Sequence, residues 1–365
     1  MSPTRPRVRS RRTSLPVVAV TGAAGSIGGP LVDLLSHHEG VRRVVALDDR
    51  RGEADGVTWR ILDVRNPVLA DRLAGVDVVV HVDIDLSVDV DPKARTSRNV
   101  RGTQTVLTAA AAAGVNRVVL LSSAMVYGAN ADNLVPLPED SPLRAPSDIG
   151  LLADLLEIER LGARAPLSHP GLTVTMVRPA SVVGAGADTL LSRHFEAPRL
   201  LVLRGSRPRW QFCHVDDLVS ALACAAVGKV TGVITVGSDG WLEQDDIERI
   251  SGLHRIELPA SVAFGAAERL HRLGILPAPA AEMSYVVHPW VVSARRLRQA
   301  GWEPAHDNED GLRTLLAEVA GRHAVAARRV GRRDATLGAA GAAGAAVAFA
   351  GTAALVRRAR RRRRG

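Results

Sequence analysis

Short apolar runs alternate along the chain with segments whose apolar residues recur every three or four positions. The first run, 15–20, is rich in Val and lacks the in-and-out alternation of a half-exposed strand, which is typical of parallel strands buried on both faces. The intervening segments, among them one through Leu31, Leu34 and Leu35 and one over 103–113, have the periodicity of amphipathic helices. This alternation predicts an α/β protein with a parallel sheet covered by helices on both sides. The predicted strands are 15–20, 44–47, 58–62, 76–82, 117–122, 173–177 and 232–236.

Composition supports a folded body built around small aliphatic side chains. The 365 residues are 46% apolar and 3% aromatic, so the chain is too apolar for a disordered protein, and Ala, Val and Leu must form its core. The two cysteines, Cys213 and Cys224, exclude a disulfide framework and a Cys-rich zinc site. Lys93 and Lys229 are the two lysines of the sequence.

The net charge of +9 belongs to the ends of the chain. Residues 1–14 carry five Arg and predict a basic disordered arm, 321–336 predict a basic linker, and 357–365 form a tail with seven Arg. Residues 15–319 are left with a net charge of −7. An acidic body argues against a nucleic-acid partner. No apolar stretch precedes the first strand, which makes a secretory signal unexpected and favours the cytoplasm.

Residues 337–356 contain no charged residue and are mostly Ala and Gly. Twenty such residues match the ~30 Å core of a bilayer, although few of them are strongly apolar. Three readings stay open: a membrane helix, a helix lying on anionic lipid at the inner face of the cell membrane, and a disordered tail.

A glycine-rich turn follows the first predicted strand and opens the first helix. Gly22, Gly25 and Gly28 leave room for the tight turn and for close approach of a pyrophosphate. The backbone N–H groups near Ser26 and Ile27 then face the phosphates at the positive end of the helix. The turn therefore predicts a dinucleotide-binding site.

Acidic residues after the second and third strands suggest which dinucleotide binds. Asp48 lies twenty residues after Gly28, where a carboxylate can accept hydrogen bonds from ribose hydroxyls and repel a 2′-phosphate, which favours NAD. Arg50 and Arg51 could instead hold that phosphate, so NADP stays open. Asp63 and Val64 are candidates for the adenine edge, with a surface turn as the alternative.

From this turn to about residue 320 the chain resembles the extended short-chain dehydrogenase/reductase family, in its NAD-dependent epimerase/dehydratase branch. The resemblance rests on seven motifs in the family's order, and their number and order make it specific. They are TGAAGSIG at 21–28, VVVHV at 78–82, NVRGT at 99–103, VVLLSSAMVYG at 118–128, VRP at 177–179 followed by VG at 183–184, HVDD at 214–217 and GWEP at 301–304.

The resemblance implies a Rossmann-type doubly wound parallel sheet over 15–320, with a smaller C-terminal substrate lobe mostly after residue 178. It implies that His81 and Val82 line the nicotinamide end, that Asn99 belongs to the cofactor-binding residues and supports the central helix, and that Ser123 hydrogen-bonds the substrate oxygen. The expected substrate is a sugar nucleotide or another secondary alcohol. A homodimer is expected by analogy.

The chain departs from the family at its proton-transfer pair. Family members carry a Tyr-x-x-x-Lys pair in which the Lys lowers the pKa of the Tyr. Ile149 and Ala153 stand at the corresponding positions, and no Tyr-x-x-x-Lys occurs in the sequence. Either the protein binds NAD(P) as a non-catalytic sensor or scaffold near the membrane, or another group replaces the pair, with Asp148, Asp154 and Tyr127 beside Ser123 as candidates.

Two further groups of side chains have a functional and a structural interpretation. Arg204, Arg207 and Arg209 could clamp a substrate diphosphate, or could form a solvated basic loop. His214 beside Asp216 and Asp217 could suggest a metal site, but the family motif favours a structural role, and we expect no metal.

Overall fold

The computed structural model describes residues 15–88, 90–146, 150–186, 188–272 and 280–322, together with the backbone of 324–325 and 328–329. The strands are β1 Val17–Thr21, β2 Arg43–Asp48, β3 Thr58–Ile61, β4 Val78–His81, β5 Arg117–Leu121, β6 Thr173–Pro179, β7 Ser181–Val183, β8 Leu200–Leu203, β9 Arg209–Trp210, β10 Phe212–His214, β11 Val233–Val236, β12 Leu242–Glu243, β13 Arg255–Leu258, β14 Ala324–Val325 and β15 Arg328–Arg329. The helices are α1 Gly28–Ser36, α2 Leu69–Arg72, α3 Pro92–Thr96, α4 Gly102–Ala112, α5 Gly150–Ser168, α6 Leu190–Phe195, α7 Val215–Ala226, α8 Gln244–Ser251, α9 Ala260–Arg272, α10 Ser284–Val287, α11 Arg295–Gln299 and α12 Asn308–Val319.

Seven of the strands form one parallel sheet in the order β11-β6-β5-β4-β1-β2-β3. The chain order reverses direction between β1 and β4, and the carboxyl ends of these two strands open the crevice in which such sheets bind their ligands. The predicted α/β fold with a Rossmann-type parallel sheet is confirmed.

Helices cover both faces of the sheet. Every residue of β1 and of β4 is therefore buried. On one face Leu31 and Leu35 of α1 share a core with Leu218 of α7. On the other face Val106 of α4 packs in a core with Ile158 of α5. The small aliphatic side chains expected from the composition fill both layers.

A second, smaller lobe contains three two-stranded sheets, β7 with β10, β8 with β13 and β9 with β12. Its separate core is richer in aromatic residues and includes Phe195, Trp210 and Phe212. The lobe is not one continuous segment, because α7 and β11 return to the large sheet before α8 begins. Within the predicted basic linker, β14 and β15 pair as a short antiparallel ladder.

Hydrogen bonds across α7 join the lobe to the sheet domain. The buried Asp217 carboxylate accepts from the N–H of Ala305 at 2.7 Å and of His306 at 3.2 Å. Trp302 donates its indole N–H to Ser220 at 2.8 Å. Two of the sequence motifs that carry the resemblance, at 214–217 and 301–304, therefore meet in space.

None of the helices in the described parts of the chain is long and apolar enough to cross a bilayer. The arm 1–14, the apolar segment 337–356 and the Arg-rich tail 357–365 lie outside the described residues. Their predicted roles stay predictions.

Candidate functional site

The glycine-rich turn leaves the carboxyl end of β1 and enters α1. Gly22 has φ of +71°, a conformation that favours glycine, and a Cβ at Gly28 would lie 2.0 Å from the Gly22 carbonyl oxygen. Gly25 donates its N–H to that same carbonyl oxygen at 3.0 Å. The N–H groups of residues 26–28 have no acceptor among the described residues. The turn therefore presents free donors at a helix N-terminus, which suits a phosphate group.

Asp48 closes the turn from the neighbouring strand. Its carboxylate accepts hydrogen bonds from the N–H of Ala24 at 2.9 Å and of Arg50 at 3.3 Å. The Arg50 guanidinium donates to the Ala24 carbonyl oxygen at 3.0 Å. The acid expected to contact a ribose therefore stands directly beside the phosphate-binding turn.

Asp63 and Val64 line a small cavity of 20 Å³ together with Asp48, Asp83 and Arg98. A bidentate hydrogen bond from Arg65 holds the Asp63 carboxylate and lowers its pKa. The Arg98 guanidinium donates to Asp83 at 2.7 Å. The two candidates for the adenine edge thus lie at the same sheet edge as Asp48.

One cavity of 560 Å³ connects the glycine-rich turn to Ser123. Gly25, Ser26 and Ile27 line one end of it, and Ser123 lies farther along the wall. Its volume is in the range of cofactor and ligand sites. The polar turn and the candidate catalytic serine therefore share one enclosed space.

Ser123 follows β5 and caps a single 3₁₀ turn over Ala124–Tyr127. Its hydroxyl oxygen accepts from the Met125 N–H at 3.2 Å, and the residue is 5% exposed. This bond leaves the hydroxyl proton available to a group in the cavity.

His81 is wholly buried, and both of its ring nitrogens have partners. Nδ1 lies 2.7 Å from the Thr21 hydroxyl and Nε2 lies 3.2 Å from the Thr103 hydroxyl. Burial lowers the pKa of His81 to about 3, so the ring is neutral at physiological pH. His81 therefore joins β1, β4 and α4. Neither it nor Val82, which lies in the core beneath the sheet, is among the described residues that line the large cavity.

Asn99 lies in a π-helical turn, Ser97–Arg101, between α3 and α4. Its side-chain amide accepts from the Asp85 N–H at 2.8 Å and donates to the Asp85 carbonyl oxygen at 2.9 Å. Asn99 thus holds the loop after β4, and Asp85 of that loop lines the large cavity. Its contact is with the loop that shapes the site.

The model of the NAD dependent epimerase/dehydratase family matches residues 18–237. The chain belongs to this family. An uncharacterized protein of Mycobacterium tuberculosis is 32% identical over 309 residues, 79% of this chain and 80% of the relative. A 4-hydroxy-2-methyl-3-oxo-4-farnesyl-3,4-dihydroquinoline-1-oxide ketoreductase of Stigmatella aurantiaca is 28% identical over 228 residues, 60% and 67% of the two chains. The solved structure of MoeE5 in complex with UDP-glucuronic acid and NAD is similar, with a TM-score of 0.61 at 25% identity over 83% of this chain and 98% of that chain.

The epimerase/dehydratase signature is incomplete at the start of α5. Of the two positions expected to hold the Tyr and the Lys, Ile149 lies outside the described residues, as does Asp148, and Ala153 lies half-buried in the first turns of α5. Asp154, a candidate substitute, is fully engaged. Its carboxylate accepts from Arg95 at 3.0 Å and from Thr96 at 2.7 Å, and it is 3% exposed.

Tyr127, the other described candidate, is held away from the cavity. Its hydroxyl donates to the Glu139 carbonyl oxygen at 2.9 Å and accepts from Arg178 at 2.8 Å. Arg178 in turn makes a bidentate ion pair with Glu159, and Ser122 donates to the same carboxylate. Burial raises the pKa of Tyr127. The tyrosine therefore belongs to a buried network that fastens α5 to β6.

The candidate substrate arginines do not meet Ser123. Arg207 and Arg209 line a separate cavity of 350 Å³, where Arg209 lies 4.8 Å from the Trp241 ring and 3.5 Å from Glu243. Arg204, three residues before Arg207 in the sequence, is exposed. His214, Asp216 and His306 cluster with their ligand atoms within 4.8 Å. The two rings stack at 3.8 Å and His214 caps α7, an arrangement that serves packing and capping.

Two cavity residues, Glu282 and Tyr285, were not singled out from the sequence. Glu282 is 3% exposed, and burial raises its pKa to about 7. Tyr285 donates its hydroxyl to the Met125 carbonyl oxygen at 2.6 Å, and burial raises its pKa. Both lie more than a hundred residues beyond Ser123 in a weakly patterned part of the chain, so no motif marked them.

Proposed function

We propose that the chain binds NAD in the 560 Å³ cavity and interconverts a secondary alcohol and the corresponding ketone. The observation that carries this proposal is the single cavity that joins the free N–H groups of the glycine-rich turn to Ser123. Such continuity supports the binding of a dinucleotide and a hydroxyl-bearing substrate in one space.

The residues present fit a nicotinamide dinucleotide. The N–H groups of 26–28 would hold the diphosphate, Asp48 the ribose hydroxyls, and Asp63 with Val64 the adenine. The Asp48 carboxylate disfavours a 2′-phosphate, so NAD is preferred to NADP. Bound in this way, NAD supplies a hydride acceptor. Ser123 then orients the substrate oxygen through its hydroxyl.

The part of the cavity away from the glycine-rich turn favours an apolar alcohol over a sugar nucleotide as substrate. Leu86, Val182, Leu190, Val286 and Trp290 are among its walls. Arg50 and Arg98 are the cations among the described lining residues; Arg50 binds the glycine-rich turn and Arg98 binds Asp83. A nucleoside diphosphate would bring two negative charges that need such cations. The named ketoreductase relative supports an apolar substrate, whereas MoeE5 supports a sugar nucleotide.

A non-catalytic NAD sensor or scaffold is the second candidate, and the missing Tyr-x-x-x-Lys pair favours it. In that function the same cavity would bind the dinucleotide without catalysing a reaction. A partner would recognise the dinucleotide-bound state of the protein.

Purified full-length protein titrated with NAD and NADP tests the shared part of both functions. We expect tight binding of NAD, weaker binding of NADP and release of NAD from freshly denatured protein. Assays of hydride transfer with apolar secondary alcohols and with sugar nucleotides then separate the two. Turnover of apolar alcohols supports the oxidoreductase, NAD binding with no turnover on either class leaves the sensor, and failure to bind either dinucleotide refutes both.

A further inference from the structure

Glu282 lines the proposed NAD cavity in a chain whose sequence lacks the family's Tyr-x-x-x-Lys pair. We infer, resting on the proposed function, that the Glu282 carboxylate transfers the proton of the substrate hydroxyl in place of the missing tyrosine. Glu282 belongs to a 3₁₀ turn, Ala280–Met283, that leads into α10. Its side chain is 3% exposed and lines the same cavity as Ser123 and Met125.

Glu282 and the start of α5 face the same cavity. Leu151 lines that cavity together with Glu282, and its backbone lowers the pKa of the Glu282 carboxyl. Leu151 is the second residue of α5 and lies two residues after position 149, where the family's tyrosine belongs. A group from the far end of the chain thus reaches the helix terminus from which the usual proton donor would project.

Hydrogen bonds of Tyr285 and Met125 connect the segment that carries Glu282 to the loop that carries Ser123. Tyr285, one helical turn after Glu282, donates to the Met125 carbonyl oxygen at 2.6 Å, and Met125 in turn donates to Ser123 at 3.2 Å. This series of contacts fixes the Ala280–Met283 turn against the loop that carries the serine. Glu282 and Ser123 therefore line one cavity, on two segments that these hydrogen bonds connect.

The other acids of the site are occupied. Asp154 is bound by Arg95 and Thr96, and Asp188 by a bidentate contact from Arg193. Asp85 accepts from the Ser87 N–H at 2.9 Å and stands on the loop that Asn99 holds. Among the described cavity residues, Glu282 is the deeply buried acid, and it lies on the turn that Tyr285 fastens to the Ser123 loop.

The charged groups that face Glu282 leave it able to exchange a proton near neutral pH. Arg95 of α3 and His271 of α9 lower its pKa, as does the Leu151 backbone. Desolvation by burial outweighs them and raises the pKa to about 7. Tyr285 keeps its own proton, because burial and the Glu282 charge raise its pKa. A group that is half protonated near the working pH serves as base in one direction and as acid in the other.

The proton and the electrons balance in this assignment. In alcohol oxidation the O–H bond of the substrate breaks and its proton passes to the Glu282 carboxylate. The carbinol C–H bond breaks as a hydride leaves for the bound NAD⁺, and the C=O bond forms. Glu282, now a neutral acid, returns its proton to water, or to the ketone oxygen when the reaction runs backwards.

The test compares Glu282→Gln with the wild-type full-length chain. Because general acid–base help is worth roughly 10²–10⁴-fold, we expect kcat to fall by at least about a hundredfold while the Kd for NAD stays unchanged. Glu282→Asp keeps the carboxyl and is expected to recover part of the rate and the same pH dependence. Glu257→Gln, at an exposed residue of β13, is the matched control and is expected to keep the wild-type rate.

A second readout does not depend on turnover. Infrared difference spectra of wild type minus Glu282→Gln are expected to show one carboxyl group that titrates near pH 7. Wild-type kcat for oxidation is expected to rise through the same pH range, since the base must be ionised, and this limb is absent in Glu282→Gln.

The outcomes separate the two proposals. Turnover by the wild type with an unchanged rate in Glu282→Gln, or loss of rate in Tyr127→Phe instead, overturns the role of Glu282 and leaves the oxidoreductase standing. A carboxyl group that titrates at its ordinary pKa also overturns it. A wild-type chain that binds NAD and turns over no alcohol overturns the proposed function and this inference together.

Discussion

Most polar side chains of the site have defined partners, and these partners decide their roles at the scale of single residues. The family resemblance predicts that His81 and Asn99 contribute to cofactor binding. In the structure His81 hydrogen-bonds the hydroxyls of Thr21 and Thr103. Asn99 hydrogen-bonds the backbone of Asp85. The glycine-rich turn, by contrast, keeps its N–H groups free. Sequence motifs located both sets, but the division between residues that shape the site and residues that face it required the contacts.

Replacement of Gly25 by Val is expected to weaken NAD binding at least about tenfold, because a Cβ there would lie 3.2 Å from the Gly22 carbonyl oxygen and would fill the approach to the phosphates. Gly29→Ala is the matched control, since its Cβ would stand 3.8 Å from its nearest neighbour and outside the turn. Isothermal titration of both variants measures the effect. Equal affinity in Gly25→Val and wild type would remove the turn from the binding site.

The neutral His81 makes stability depend on pH. Its folded pKa of about 3 lies below the usual 6.5, so below pH 6.5 the unfolded chain binds a proton that the folded chain refuses. The His81 contribution to the free energy of unfolding is therefore complete above that pH and falls by about 1.4 kcal/mol per pH unit down to about pH 3. Urea denaturation of wild type and His81→Asn across this range is expected to show a shallower slope for the variant. Equal pH dependence of the free energy of unfolding in wild type and His81→Asn would contradict this role of His81.

At the scale of elements, the strands of the large sheet were predictable and the lobe was not. Seven predicted runs match β1–β6 and β11, each within about two residues of its ends. The central strands are buried on both faces and need apolar sequence, whereas β3 at the sheet edge is only half-buried. Strands β7–β10, β12 and β13 are two to four residues long and pair in separate ladders, so they are too short to show a period. Glu282 lies in a four-residue 3₁₀ turn, which is likewise too short to show a sequence period.

A buried ion pair joins α3 to α5, and its loss should loosen the start of α5. Asp154→Ala leaves the Arg95 guanidinium, 7% exposed, without its partner and is expected to cost about 3–5 kcal/mol in the free energy of unfolding. Arg144→Ala, which breaks an exposed ion pair with Asp132, is the control, and its cost is expected to stay below about 1 kcal/mol. Thermal and urea unfolding of both variants provide the comparison. Similar losses in the free energy of unfolding of the two variants would mean that the buried Asp154 ion pair stabilises the fold no more than the exposed one.

At the scale of the whole molecule, the site forms where the sheet edge, the start of α5 and the lobe meet. The sequence indicated the first of these through its glycines and Asp48, and the absence of the family pair through Ile149 and Ala153. It could not indicate that Glu282 approaches α5, because more than a hundred residues separate them and their contact depends on how the lobe packs. The acidic body and basic ends were plain from charge counting alone.

Those basic ends lead to a prediction about lipid surfaces. The full chain is expected to sediment with vesicles of anionic lipid and to be released by high salt, since seven Arg follow the apolar segment 337–356. A chain ending at residue 336 is expected to stay in the supernatant. Vesicles of neutral lipid serve as the control. Binding that survives the truncation would place lipid contact outside 337–365, for example on the basic arm 1–14.

The bonds from Asp217 to residues 305 and 306, with the one from Trp302 to Ser220, clasp the return of the chain against α7. Residues 302–306 lead into α12 of the lobe, so these bonds hold one border of the lobe on the helix that packs against the sheet. We expect ligands to enter and leave chiefly through movements of the loops that line the cavity. Loosening the clasp, by Ser220→Ala for example, should hasten the escape of a bound ligand more than it alters the encounter.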